Sequence, residues 1–251
     1  MTHIGIIIPS TTKGIPNCTN YNNTFFYNIL LKSFIKTACK EYNYTIYLVV
    51  DDDDPIYSNP EQRGKIISFV KLLNNTELIF ISSNGINKGH VTEMWNRAFK
   101  MAYDDNCEYF YQCGDDIEFM DKGWVSACVN KLKDNNDIGV TGPLDWGREL
   151  FKRKNNPNHK LLLTQTFVSR KHMEFFGFYY PPEIINWWCD DWITLIYSKK
   201  NLFYQMSNHR IINKGGQPRY TPVGAGSQKD SMSNICNKLV DKFIDNIVLK
   251  N

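Results

Sequence analysis

Strand-like and helix-like apolar patterns alternate through the first 140 residues, and that alternation restricts the chain to few architectures. Residues 4–8 form an apolar run closed by Pro9, and Phe26, Ile29, Leu30, Phe34 and Ala38 then recur at helical spacing. Residues 45–50 read as a second strand, Ile66, Ile67, Val70 and Leu73 as a helix, and 78–81 as a third strand. Val91, Met94, Trp95, Ala98, Phe99 and Ala102 mark the clearest amphipathic helix. Strands over 109–113 and 138–141 flank a helix over 124–132. Such a rhythm predicts an α/β fold with a mostly parallel sheet flanked by helices, because parallel neighbours need helical crossovers.

The rhythm loosens after residue 142. An exposed basic and Asn-rich loop is expected over 152–160, a strand over 161–168, short helices over 171–176 and 190–197, and a strand over 202–206. Residues 213–233 are rich in Gly, Ser, Pro and Gln and read as a mobile lid, followed by an amphipathic helix. No linker demands two independent domains. The expectation is one domain over 1–251, with a first half at 1–120, a smaller second half at 121–212, the lid at 213–233 and a C-terminal helix at 234–251.

Bulk properties exclude some classes. A net charge of +3 is too small to point to nucleic acid or a membrane surface. Seven scattered cysteines without a Cys-x-x-Cys pair argue against a disulfide framework and a structural zinc site. The first residues lack a basic leader, and the opening apolar run is too short to span a bilayer. A reduced, cytoplasmic protein without a membrane span is expected.

Chemistry concentrates at strand ends. The strand at 109–113 runs into Gly114-Asp115-Asp116-Ile117. Adjacent carboxylates beside a buried strand are costly, and a divalent cation is the usual remedy, a solvated acidic turn being the alternative. Asp51, Asp52, Asp53 and Asp54 follow the second strand; some of them start a turn before Pro55, and one can accept from a base or from ribose hydroxyls. In an open α/β sheet, ligands bind outside the carboxyl ends of strands, so both acidic ends face one crevice. Asn87-Lys88-Gly89-His90 opens the strongest helix, where a tight turn and a helix N-terminus favour anions. In Trp187-Trp188-Cys189-Asp190-Asp191-Trp192, indoles can stack on sugars beside a carboxylate able to act as general base; the alternative is a capped helix whose tryptophans fill the core. His209 is a lone histidine that is either a ligand or structural. Lys214, Arg219 and Lys229 can close over phosphates or remain solvated loop charges.

In order along the chain, these segments resemble a GT-A-type glycosyltransferase of the inverting, metal-dependent, family-two-like group. The resemblance rests on Ile6-Ile7-Ile8-Pro9, Asp51-Asp52-Asp53, Asn87-Lys88-Gly89 with Asn96-Arg97-Ala98, Gly114-Asp115-Asp116-Ile117 with Gly123-Trp124, the stretch from Phe167 to Lys171 with Gly177, and Asp190-Asp191. It covers roughly residues 4–210. Gly114 stands where the family's metal segment, the DxD motif, has its first Asp, and Asp190 where the family has Glu. The resemblance implies transfer of a hexosyl-type sugar from a nucleotide sugar, a UDP-sugar being the expected donor, to a hydroxyl on a glycan, protein or small molecule. It implies Mn²⁺ or Mg²⁺ held by Asp116 and His209. Pro9, Asp51, Asp52, Asp53, Asn87, Gly89, Asp115 and Lys214 would contact the nucleotide sugar, and Asp191 would be the catalytic base. Trp187, Trp188, Asp190 and Trp192 would face the acceptor. Two other readings remain. A nucleotidyltransferase would need a Gly-rich basic loop after the first strand, where residues 10–20 offer only Lys13 and Gly14. A binding module that kept the fold without turnover is suggested by Gly114.

Overall fold

A computed structural model describes residues 1–155 and 162–248, apart from the side chains of Lys152 and Arg153. Its eight strands are β1 (His3–Ser10), β2 (Asn43–Val50), β3 (Thr76–Ser82), β4 (Tyr109–Gln112), β5 (Ile117–Phe119), β6 (Val140–Asp145), β7 (Thr166–Ser169) and β8 (Phe203–Asn213). They form one sheet in the order β3-β2-β1-β4-β7-β6-β8-β5. A π-helical stretch (Phe26–Leu31) runs into α1 (Lys32–Thr37), followed by α2 (Pro60–Val70), α3 (Val91–Asp104), α4 (Trp124–Lys133), α5 (Trp146–Asn155), α6 (Lys171–Phe176), α7 (Cys189–Ser198) and α8 (Lys229–Phe243).

The central strand β1 explains why the sheet is covered on both faces. Ile4, Ile6 and Ile8 join one core with Phe26, Leu30 and Phe34 of the first helical segment and with α4. Ile7 joins the other, with Trp95, Ala98 and Phe99 of α3 and with α7 and α8. Side chains alternate between faces with a period of two, so a strand buried on both sides reads as a continuous apolar run. Local signals set the helix starts. Asn59 accepts from the N–H groups of Glu61 and Gln62, with Pro60 at the first position of α2. Gly123, at φ 79°, supplies the left-handed turn into α4.

The expectation of a mostly parallel sheet holds only in the first half. β3-β2, β2-β1 and β1-β4 are parallel, but β4-β7, β7-β6 and β8-β5 are antiparallel, with β6-β8 parallel again. The sheet is therefore mixed. Apolar periodicity identifies strands but carries no information on pairing direction.

Two elements were not anticipated. β5 has only three residues, too few for a period to register. α5 covers the start of the segment expected as a loop; 156–160 of that loop and residue 161 of the expected strand lie outside the described residues. β8 is longer than its apolar stretch, and α8 begins at Lys229, inside the expected lid. The end of the expected C-terminal helix, 249–251, is also outside the described residues. Among the described residues no helix is long and apolar enough to cross a membrane.

Candidate active site

Because β1, β2 and β4 are parallel, their carboxyl ends open on one edge. Ser10 pairs in register with Val50, and Ile7 with Gln112, so the segments beginning at Thr11, Asp51 and Cys113 converge. The Asp115 side chain is wholly buried there. Ser10 Oγ donates to Asp115 Oδ2 at 2.5 Å and shares a 2.9 Å hydrogen bond with the hydroxyl of Tyr57. Arg219 grips both carboxylate oxygens, Nη1 donating to Oδ2 at 3.0 Å and Nη2 to Oδ1, while Nη1 also reaches the carbonyl of Thr11. A buried carboxylate without such partners would be strongly unfavourable.

Asp116 points into the adjoining cleft. Burial pushes its carboxyl up to about 6, the charge of Asp115 adds to the rise, and Arg219 opposes it. The Gly114 N–H donates to Gln165 Oε1 at 2.9 Å. A Cβ at Gly114 would lie 2.7 Å from Asp116 Oδ1, and one at Gly215 would lie 1.8 Å from Oδ2. The carboxylate is thus wedged between two backbones that approach closely because they carry no side chain. Gly114, which departs from the family's motif, leaves room for the Asp116 carboxylate in this packing.

The run Asp51–Asp54 divides. Asp54, which the sequence did not single out from its neighbours, is fully buried and organises the turn: it accepts from Thr12 N–H at 2.6 Å, Thr12 Oγ1 at 2.8 Å, Ile56 N–H at 3.0 Å and Tyr57 N–H at 2.9 Å. Asp51 accepts from Ser83 Oγ at 3.1 Å and lines the cleft. Asp52 and Asp53 are exposed and outside it, and Asp53 is ion-paired to Lys13.

The opposite wall starts at Trp188, whose φ of 76° is a genuine outlier for a bulky residue. Its indole N–H donates to the Gly224 carbonyl at 3.1 Å. The left-handed turn starts α7, whose first turn carries Asp190 and Asp191 into the cleft. Arg148 Nη1 lies 3.2 Å from Asp190 Oδ2. Asn186 ties three segments together: its Nδ2 donates to the carbonyls of Gly89 (3.1 Å) and Thr221 (3.2 Å), and its Oδ1 accepts from Val223 N–H at 2.9 Å. Asn96 on α3 holds the approach to this wall through the N–H groups of Tyr179 and Tyr180, each at 2.9 Å.

The resulting cleft has a volume of about 780 Å³. Of the residues expected from sequence, Pro9, Asp51, Gly89, Asp115, Asp116, Trp187, Trp188, Asp190 and Asp191 line it. Asn87 is exposed and does not. Lys214 is drawn away by an ion pair with Glu118 at 2.5 Å. Trp192 is fully buried in the core rather than facing an acceptor, whereas Trp187 is 41% exposed at the rim. The segment expected as a lid does lie against the cleft, bound through Arg219, Thr221, Val223 and Gly224.

His209 also departs from expectation. It sits on β8 beside Gly123, whereas Asp116 is met by the Lys214 N–H at the far end of that strand. Residues 207–209 bulge out of the β6–β8 pairing, since Pro143 pairs with Met206 and Leu144 with Arg210. Asp115 is committed to Arg219 and Ser10, Gly114 offers no ligand, and no cluster of three or more His, Cys, Asp or Glu suited to a metal occurs among the described residues. Of the two residues the resemblance assigns to Mn²⁺ or Mg²⁺, Asp116 lines the cleft and His209 does not. In the sequence Arg219 is legible only as a charge able to close over phosphates; the one signal for its actual place is that the acidic pair needs a cation.

No protein-family model matches the chain, and no curated protein matches it. Among solved structures the chain is similar to TarS of S. aureus, at a TM-score of 0.51 and 11% identity, over 84% of this chain and 36% of that one. A structure of TarS residues 1–349 gives a TM-score of 0.49 and 13% identity over 84% of this chain and 60% of that one. The chain thus spans less than two thirds of the length of either. At 11% identity the likeness is one of fold alone: a mixed α/β sheet flanked by helices.

Proposed function

We propose that the chain is a glycosyltransferase of GT-A type, moving a sugar from a nucleotide-sugar donor to a hydroxyl acceptor. The observation that carries this reading is the meeting, in one cleft, of the acidic carboxyl ends of β2 and β4 with Asp190-Asp191 at the start of α7. The strand-end side suits a nucleotide and its diphosphate, and the α7 side an acceptor. TarS, whose fold the chain resembles, is itself a glycosyltransferase.

Asp191 takes the proton of the acceptor hydroxyl as the hydroxyl oxygen bonds to the anomeric carbon. The bond from that carbon to the diphosphate oxygen breaks, and its electron pair leaves with the diphosphate. One displacement inverts the anomeric configuration. Asp51 is placed to accept from the base or ribose. Asp190, paired with Arg148, fixes the first turn of α7 so that Asp191 faces the cleft. Trp187 offers an indole face to a sugar ring at the rim. The segment against the cleft limits hydrolysis of the donor by excluding water.

A thermal-shift panel of nucleotides and nucleotide sugars tests donor recognition, since a ligand that binds only the native state raises its melting temperature. Release of nucleoside diphosphate from the stabilising sugar nucleotide then tests turnover. Stabilisation without release of diphosphate would favour a binding module, and release of inorganic pyrophosphate from nucleoside triphosphates a nucleotidyltransferase.

A further inference from the structure

We propose that Arg219 and Lys88, with Lys229 at the edge, form a diphosphate subsite in this cleft, so that nucleoside diphosphates bind without a divalent ion. The inference rests on the glycosyl-transfer reading and assigns the source of positive charge within it.

Two adjacent carboxylates at a buried strand end require a cation. The chain supplies one. The Arg219 guanidinium neutralises Asp115, and so removes that carboxylate's share of the negative charge at this strand end. Its Nε–H and second Nη2–H enter no hydrogen bond among the described residues, and Arg219 lines the cleft. A planar guanidinium fixed on one edge by a carboxylate is pre-organised to donate from its other edge. The ring of Phe25, 5.1 Å from its central carbon, covers another side.

Lys88 lies on the same stretch of wall. Asn186 holds the carbonyls of neighbouring Gly89 and of Thr221 together, and a Cβ on Gly89 would lie 3.8 Å from Tyr220 Cβ. The loop of Lys88 is thereby fastened to the loop of Arg219. Lys88 and Lys229 both line the cleft, and neither has an ion-pair partner among the described residues, whereas Lys13 and Arg148 are paired to Asp51 and Asp190. The free positive charge of the cleft thus comes from lysines flanking a neutralised Asp115. As the donor's anomeric C–O bond breaks, the electron pair passes to the diphosphate, and these cations balance it.

The test is calorimetric titration of UDP, GDP, ADP and inorganic pyrophosphate into the protein, in EDTA and in Mn²⁺. The variants are Lys88→Gln, Lys229→Gln, and Arg219→Gln combined with Asp115→Asn so that no buried charge is left alone. Expected are binding of at least one nucleoside diphosphate in EDTA and a loss of about ten-fold or more in Lys88→Gln and in the double variant. The exposed lysine keeps the test decisive if the double variant fails to fold. Binding that appears only with Mn²⁺, or unchanged affinity in Lys88→Gln, overturns the subsite and leaves the transfer reading standing. No binding of any nucleoside diphosphate in either buffer overturns both.

Discussion

Arg219 closes on the carboxylate of Asp115 across 104 positions of chain, joining the segment after β8 to the carboxyl end of β4. Asp115 is wholly buried while Arg219 keeps a partly exposed edge on the cleft, and the pair determines which residues remain available to a ligand. With Asp115 held by Arg219, Asp51 and Asp116 are the strand-end acids left open to the cleft.

Removing one partner of this pair strands the other charge. Arg219→Met should destabilise the fold by about 3–5 kcal/mol. Combining it with Asp115→Asn should restore a large part of the loss. Urea denaturation of the single and double variants measures the coupling; additive losses would show that the pair does not hold the segment down.

Asp191→Asn should lower turnover by about a hundred-fold or more while leaving donor binding intact, because an amide cannot take the acceptor's proton. Steady-state rates together with nucleotide titration separate the two effects. Normal turnover in this variant would remove Asp191 from the chemistry.

Two tryptophans of one segment should respond in opposite ways. Trp192→Ala empties a core position and should cost about 3–5 kcal/mol of stability. Trp187→Ala, at the exposed rim, should change stability by no more than about 0.5 kcal/mol and instead raise the KM for the acceptor. Denaturation and acceptor kinetics on both variants provide the comparison.

Asp116 gives a pH dependence with a definite sign. Its folded value of about 6 lies above its ordinary 3.8, so the fold favours the protonated acid. That contribution is fully present below about pH 4 and is lost as pH rises through about 6. Asp116→Asn should therefore melt a few degrees above the unsubstituted protein at neutral pH, and the gap should close below about pH 4. Paired melting curves across that range suffice; a gap that widens on acidification would show that Asp116 is ionised and stabilised in the fold.

Much of this fold was legible in the sequence where information is local. The apolar runs at β1 and β2 and the helical spacing of Val91, Trp95, Ala98 and Phe99 each reflect a period that a single segment carries. β5 escaped notice because three residues hold no period, and the antiparallel second half because side-chain alternation is the same in either direction. Among the candidate site residues, Asp116 and Asp191 follow from strand-end and helix-start positions. Trp192 and His209 were misplaced because which face of α7 turns inward, and where along β8 a residue lies opposite Asp116, are settled by packing partners remote in sequence.

The sequence by itself determined an α/β chain with acidic strand ends and an acidic helix start, and it implied that the Asp115-Asp116 pair needs a cation. Tertiary structure decided what that cation is. Arg219 reaches Asp115 only because β8 returns antiparallel to β5 and delivers the following segment, with its glycines, onto the cleft. The need for charge balance is local and can be read from neighbouring residues, whereas the group that satisfies it depends on a chain return that no local pattern encodes.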